Sequence, residues 1–278
     1  MLVGVVGAGT MGAGIAEVFA RAEGFTVQLA DVNLDLATKG RNRQLASLDK
    51  QVSKGKMTQD EVDRIAANLL LAEVEDLFDC ELVIEAVSET MDVKRPMFEK
   101  LDGIAAEGAI LASNTSSLSI TALARGLKHD VAGMHFFNPA PVMKLVEVTS
   151  GATTQPKTVK TITEIAHTVG KTTVQVDEEA GFIVNRILVP MINEAVGVLA
   201  EGVASAEDID EAMKLGANHP IGPLALADLI GLDVTLAIME VLQSEFGDPK
   251  YRPHPLLRKY VRAGWLGRKT GRGFFSYA

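Results

Sequence analysis

The sequence predicts an α/β chain: a doubly wound N-terminal domain carrying a helical hairpin, followed by an all-α C-terminal domain. Three observations predict it. From Leu2 to about Val176, short β-branched runs alternate with helical stretches; strand signals cease after Gly181; and Gly7-Ala-Gly9-Thr-Met-Gly12 stands between the first strand and the first helix. Near-continuous apolar strands separated by helices imply a mostly parallel sheet covered on both faces.

The strand candidates are LVGVV (2–6), TVQLA (26–30), ELVIEAV (81–87), AILAS (109–113), VAGMHFF (131–137), MKLVEV (143–148) and TTVQV (172–176), each bounded by Gly, Asp, Asn or Pro. Residues 35–76 interrupt the rhythm with two charged amphipathic stretches separated by SKGKM, which reads as an antiparallel helical hairpin. Beyond the join near 177–183, a helix is expected from Phe182 to Glu201 with Pro190 inside, where the missing N–H predicts a kink. SAEDIDEAMKLG opens with a capping pattern, Ser205 to Asp208, and stops at a glycine. HPIGP makes a turn, Leu224–Phe246 a long apolar helix and Pro255–Ala263 a short one. The expected domains are therefore 1–182 and 183–278.

Composition narrows the function classes. With 278 residues and 47% hydrophobic content the chain can bury a substantial core. Acidic residues outnumber basic ones, 36 to 27, so the net charge of −9 gives no reason to expect nucleic acid or an anionic membrane as partner. Cys80 is the single cysteine, which excludes an internal disulfide, and the histidines at 129, 135, 167, 219 and 254 show no metal-ligand spacing; no metal is expected. MLVGVVGAGTMG lacks a cationic leader, and the most apolar later stretch, 182–200, carries Asn185, Arg186, Asn193 and Glu194, so no membrane span is expected and the protein is expected to be cytoplasmic.

The glycine loop after a strand lets backbone approach a pyrophosphate, while the following helix N-terminus stabilises negative charge. Gly7, Gly9, Thr10, Met11 and Gly12 are thus candidate dinucleotide contacts in a Rossmann-type unit. Asp31 ends the next strand, where a carboxylate accepts from the adenosine ribose hydroxyls; the plainer reading is a strand-end turn residue. No arginine follows it directly (Asp31-Val-Asn), so a 2′-phosphate would meet repulsion without a compensating cation, and NAD is favoured over NADP.

GMHFFNPAPVMKLVEV (133–148) places one histidine before a proline turn and one glutamate in an apolar run. A lone histidine at a strand end is commonly structural, and Glu147 between Val146 and Val148 could face solvent by alternation. Oxidising a secondary alcohol requires a base near working pH, which suits His135, and a carboxylate on the opposite ring nitrogen would steady the imidazolium. The FFNPAPVM turn can bring Glu147 back beside His135.

These blocks, with ASNTSSLSIT (112–121), GFIVNR (181–186), EDIDEAMKLGANHPIGP (207–223) and GWLGRKTGRGFF (264–275), resemble the 3-hydroxyacyl-CoA dehydrogenase family in order and over essentially the whole chain, bacterial 3-hydroxybutyryl-CoA dehydrogenases most of all. Phe275 stands where the family more often has tyrosine. The resemblance implies His135 and Glu147 as the catalytic pair, with Ser116 and Asn185 holding the reacting group. It also implies that Glu89, Lys94, Asn114 and Lys269 contact NAD, and that Ser47, Lys54 and Asn138 contact the acyl-CoA. It implies an NAD-dependent oxidoreductase of (S)-3-hydroxybutyryl-CoA that forms a homodimer through its helical domain. Arg41, Arg43, Lys50, Lys54 and Lys56 offer a basic patch for coenzyme A, although a solvated helix face is the usual meaning of such a run. The alternatives are a dehydrogenase for free 3-hydroxy acids, and a non-catalytic homologue resembling a lens crystallin; intact His135, Glu147 and Ser116 argue against the second.

Overall fold

The computed structural model describes residues 1–277, and the chain divides into two compact units, Met1–Glu178 and Glu179–Ala278, a few residues ahead of the expected 182/183 boundary. In the first unit, eight strands form one sheet: β1 (Leu2–Val6), β2 (Thr26–Ala30), β3 (Leu69–Ala72), β4 (Leu82–Glu85), β5 (Ile110–Ser113), β6 (Val131–Phe136), β7 (Leu145–Ser150) and β8 (Thr172–Asp177). Their order is β3-β2-β1-β4-β5-β6-β7-β8. All neighbours run parallel except β6 and β7, which are antiparallel. The strand order reverses beside β1, so the crevice at the carboxyl ends of β1 and β4 is where such sheets bind ligands.

Burial follows position in the sheet. Every residue of β4 and β6 is buried, as central strands covered on both faces require, whereas edge strand β8 exposes most of its residues. Helix α1 (Thr10–Arg21) lays Ile15, Ala16, Val18 and Phe19 into the main core. Cys80 lies in a second apolar cluster, where burial pushes its thiol to about 12, so it is inert at physiological pH.

Residues 35–76 are not helical throughout. Helices α2 (Leu34–Ser53) and α3 (Gln59–Asn68) pack on each other, and the Thr58–Glu61 capping box starts α3. Leu69–Ala72 then forms β3 and pairs in parallel with β2, and Val74–Asp79 is a 3-10 turn. Four residues, LLLA, follow the helical pattern without a turn residue, and only the unpaired edge of β2 makes them a strand.

Among the described residues the second unit has no named strand. Helices α4 (Met91–Ile104), α5 (Ile120–Ala124) and α6 (Pro156–Thr168) also belong to the first unit. The second begins with α7 (Val184–Ala200), which starts after the expected Phe182 because that residue has φ 48°, outside helical space. Helix α8 (Ala206–Ala217) is capped by Ser205, which accepts from the Asp208 N–H, and it passes through Gly216 to end at left-handed Asn218. The expected single helix over 224–246 is two, α9 (Pro223–Ile230) and α10 (Leu232–Phe246), broken at Gly231 with φ 107°. Helix α11 (Pro255–Arg262) follows.

Asp228 organises the tail: its carboxylate accepts from the N–H groups of Phe274 and Phe275 and from the Tyr277 hydroxyl. No helix is long and apolar enough to cross a membrane, and no three His, Cys, Asp or Glu side chains gather as a metal site among the described residues.

Candidate active site

The glycine loop leaves β1 and enters α1 at the sheet's reversal point. A Cβ on Gly12 would lie 1.7 Å from the Gly7 carbonyl oxygen, so only hydrogen fits there, whereas a Cβ on Gly9 would meet nothing within 4 Å. The loop is thus tight against its own strand and open outward. Gly9 caps α1 without any side chain, leaving the first-turn N–H groups of Thr10, Met11 and Gly12 to a ligand's anionic group. Asp31, at the end of β2, accepts from the Ala8 N–H (2.6 Å) and from the Val32 N–H (2.7 Å). This cradle of Gly-loop backbone, uncapped helix and strand-end carboxylate fits a dinucleotide.

We expect Gly12→Ala to raise the dissociation constant for NADH at least ~10-fold, because overpacking of this kind costs about 1–3 kcal/mol and ~1.4 kcal/mol is tenfold in affinity. A fluorescence titration checks it. Unchanged affinity with an unchanged melting temperature would show that the loop is not the pyrophosphate cradle.

At the next strand ends, charges gather in a way the sequence reading only partly anticipated. Lys94 on α4 is almost wholly buried and reaches two carboxylates, Glu85 at 2.7 Å and Glu89 at 3.2 Å. Glu85, the last residue of β4, also accepts from the Ser113 hydroxyl (2.7 Å) and the Val87 N–H (2.6 Å). Burial pushes the Glu85 carboxyl up, with Lys94 and these hydrogen bonds working against it. Partial burial also opposes the charge of Glu89, but Lys94 and bonds from Thr115 and Ser116 outweigh it and hold that carboxyl below its ordinary range. Glu89 accepts from the Thr115 hydroxyl (2.7 Å) and from the Ser116 N–H (2.6 Å) and hydroxyl (3.2 Å), so it sets the Asn114–Ser117 turn that carries Ser116. Sequence reasoning missed Glu85, Ser113 and Thr115. A carboxylate inside ELVIEAV is the same signal as Glu147 between valines, and it pointed to the same end of the sheet.

Asn114 accepts from the Phe136 N–H at 2.8 Å, tying the end of β5 to the residue after His135. His135 and Glu147 are direct partners in the β6–β7 ladder, and His135 Nδ1 lies 2.8 Å from Glu147 Oε2. Both are buried, at 6% and 1% exposure. An ionised carboxylate only accepts, so Nδ1 carries the hydrogen and the imidazole presents its other nitrogen, Nε2, as the basic one. Phe137 tilts against the ring with centroids 4.4 Å apart.

Other expected residues lie as follows. Asn138 is exposed at the start of the β6–β7 turn, and Ser47 and Lys54 are exposed on α2 and at its C-terminal cap. The basic patch is smaller than expected: Arg41 donates to the carbonyls of Leu69 (2.8 Å) and Ala66 (2.9 Å), and Arg43 donates to the Ala8 carbonyl (2.9 Å). No arginine directly follows Asp31, but an arginine from the next helix, Arg43, reaches the same loop through the Ala8 carbonyl. Asn185 and Lys269 belong to the second unit: Asn185 is half-buried in the first turn of α7, and Lys269 is paired with both oxygens of Asp233 (2.6 and 2.7 Å).

A glycine-loop dinucleotide cradle, with a buried histidine–carboxylate pair at the carboxyl end of the same sheet, defines the class of nucleotide-dependent oxidoreductases that act on hydroxyl groups. Family models describe the 3-hydroxyacyl-CoA dehydrogenase NAD binding domain, matching residues 2–180, and the C-terminal domain of the same enzymes, matching 181–277. The chain belongs to the 3-hydroxyacyl-CoA dehydrogenase family. It is 53% identical over 285 aligned positions to the 3-hydroxybutyryl-CoA dehydrogenase of Clostridioides difficile, covering 100% of this chain and 99% of that one. It is 52% identical to a probable 3-hydroxybutyryl-CoA dehydrogenase of Bacillus subtilis, covering 98% and 96%. The crystal structure of (S)-3-hydroxybutyryl-CoA dehydrogenase from Ralstonia eutropha superposes with a TM-score of 0.94 at 49% identity, covering 100% and 99%.

Proposed function

We propose that the protein interconverts (S)-3-hydroxybutyryl-CoA and acetoacetyl-CoA with NAD, and that His135 and Glu147 carry the proton transfer. The observation that carries this reading is the buried 2.8 Å His135–Glu147 contact on the sheet that also bears the glycine loop. The Gly7–Gly12 loop, the α1 N-terminus and Asp31 would hold NAD, with Glu89, Lys94, Asn114 and Lys269 assigned to it by the family resemblance. When bound, NAD supplies the hydride acceptor for the carbon that bears the hydroxyl.

In oxidation, the His135 ring nitrogen opposite Glu147 takes the hydroxyl proton; in reduction, the imidazolium returns it to the ketone oxygen. Glu147 holds the ring in one tautomer and favours its cationic form. Ser116, oriented through Glu89, and Asn185 would hold the reacting oxygen and the thioester end of the acyl group. Ser47, Lys54 and Asn138 would contact the rest of the acyl-CoA. A homodimer in the cytoplasm completes the reading; the second unit leaves Ile187 and Leu215 68% and 78% exposed, which is apolar surface a partner copy could cover.

The test is a rate comparison over acetoacetyl-CoA, longer 3-oxoacyl-CoA thioesters and free acetoacetate, with NADH and NADPH. Fastest turnover of acetoacetyl-CoA with NADH is expected. Preference for the free acid would replace the thioester reading, and absence of cofactor oxidation would leave a non-catalytic homologue.

Lys54 provides a further check. An exposed cation gripping a remote phosphate binds ground and transition states alike, so Lys54→Ala should raise KM with little change in kcat. The penalty should shrink with added salt and vanish for a truncated thioester lacking the nucleotide. If the truncated substrate suffers equally, Lys54 does not act through coenzyme A.

A further inference from the structure

We propose that Arg43 is a cofactor-specificity residue: it forms, with Asp31, a two-charge site at the adenosine ribose in which the carboxylate decides for NAD and the guanidinium is a latent 2′-phosphate ligand. This rests on the reading of the glycine loop as the NAD cradle.

The placement begins with a glycine. A Cβ at Gly40 would sit 2.3 Å from the Ala8 carbonyl oxygen and 2.6 Å from the Ala8 methyl, so α2 lies directly on the loop only because residue 40 has no side chain. Arg43 is one helical turn further along α2, and its Nη2 donates to that carbonyl at 2.9 Å. The N–H of the same residue, Ala8, donates to Asp31 Oδ2 at 2.6 Å. One loop residue is therefore held by an anion on its nitrogen and a cation on its oxygen.

The two charges do not cancel by contact. Among the described residues neither Arg43 nor Asp31 forms an ion pair within 4.0 Å. Residue 43 is exposed, and a guanidinium has five N–H donors, of which the bond to Ala8 uses one on Nη2. A cation beside the loop, with donors to spare, is available to a ligand seated there.

The chemistry of the two cofactors then separates them. A ribose 2′-hydroxyl needs an acceptor, which Asp31 offers. A 2′-phosphate carries about −1.5 to −2 charge, which a carboxylate repels and a guanidinium binds in bidentate fashion. With Asp31 charged, repulsion dominates and Arg43 serves the loop. With position 31 neutral, Arg43 should determine the outcome.

The experiment measures NADH and NADPH affinity by fluorescence titration for wild type, Asp31→Asn, Asp31→Asn/Arg43→Gln and Asp31→Asn/Arg43→Lys. Asparagine keeps an oxygen for the Ala8 N–H and glutamine keeps a donor for the Ala8 carbonyl, so the loop contacts survive; an unchanged melting temperature checks this, while NADH affinity is expected to fall as the ribose loses its carboxylate acceptor. We expect Asp31→Asn to gain at least ~10-fold in NADPH affinity, the scale of a charged hydrogen bond. Arg43→Gln in that background should remove at least ~5-fold of the gain, Arg43→Lys should keep part of it, and the gain should fall with ionic strength. Should the glutamine double variant bind NADPH as tightly as Asp31→Asn, or should Asp31→Asn remain folded at the wild-type melting temperature and gain nothing for NADPH, the role of Arg43 is overturned. Wild type that binds neither dinucleotide would overturn the cradle reading itself, and this inference with it.

Discussion

Glutamine in place of His135 is expected to depress kcat in both directions by at least ~10²-fold, the usual scale for losing a general acid–base group. The amide can occupy the site and hydrogen-bond to Glu147, but it cannot accept the hydroxyl proton or carry it as a cation. NADH affinity should barely change, because the glycine loop and Asp31 sit at the ends of β1 and β2, and His135, on β6, is three and four strands across the sheet from them. A steady-state assay paired with a fluorescence titration separates the two quantities. Near-wild-type turnover would remove His135 from the proton path, and the reaction would need another base.

Glu147→Gln is expected to lower kcat by on the order of 10²-fold while the fold persists, since an amide can still orient the ring but stabilises no positive charge on it. The more telling readout is the pH–rate profile for oxidation. Removing the negative neighbour disfavours the imidazolium, so the neutral, proton-accepting ring persists to lower pH. The acid limb of the profile should therefore move to lower pH even as its plateau drops. A merely structural role for Glu147 would reduce the amount of active protein without moving the limb. An unshifted limb would show that the 2.8 Å contact does not couple the two groups during turnover.

Elements whose identity is encoded locally were legible. Apolar runs such as LVGVV and VAGMHF form strands wherever they are placed in a covered sheet, and Ser205, with Asp208 three residues on, caps α8 as its pattern indicates. His135 and Glu147 were legible for a related reason: a polar residue in an apolar strand must have a partner, and a short turn limits where the partner can be. LLLA at 69–72 was not legible, because a short apolar run after a helix has no period of its own. It became β3 because β2 offered an unsatisfied edge. The break at Gly231 was likewise hidden, as an isolated glycine in an apolar stretch is compatible with one helix or two.

The sequence by itself determined the class of fold, the position of the glycine loop, and the residue types of the buried histidine–glutamate pair, since each depends on neighbours within a few residues or across one turn. Only the tertiary structure decided how charge is distributed around the loop. Lys94 between Glu85 and Glu89, Glu89 beneath Ser116, and Arg43 on the carbonyl of Ala8 join residues on different elements. The last spans 35 positions in sequence. Electrostatic energy depends on distance in space and on the surrounding dielectric, and neither is encoded in the spacing of residues along a chain.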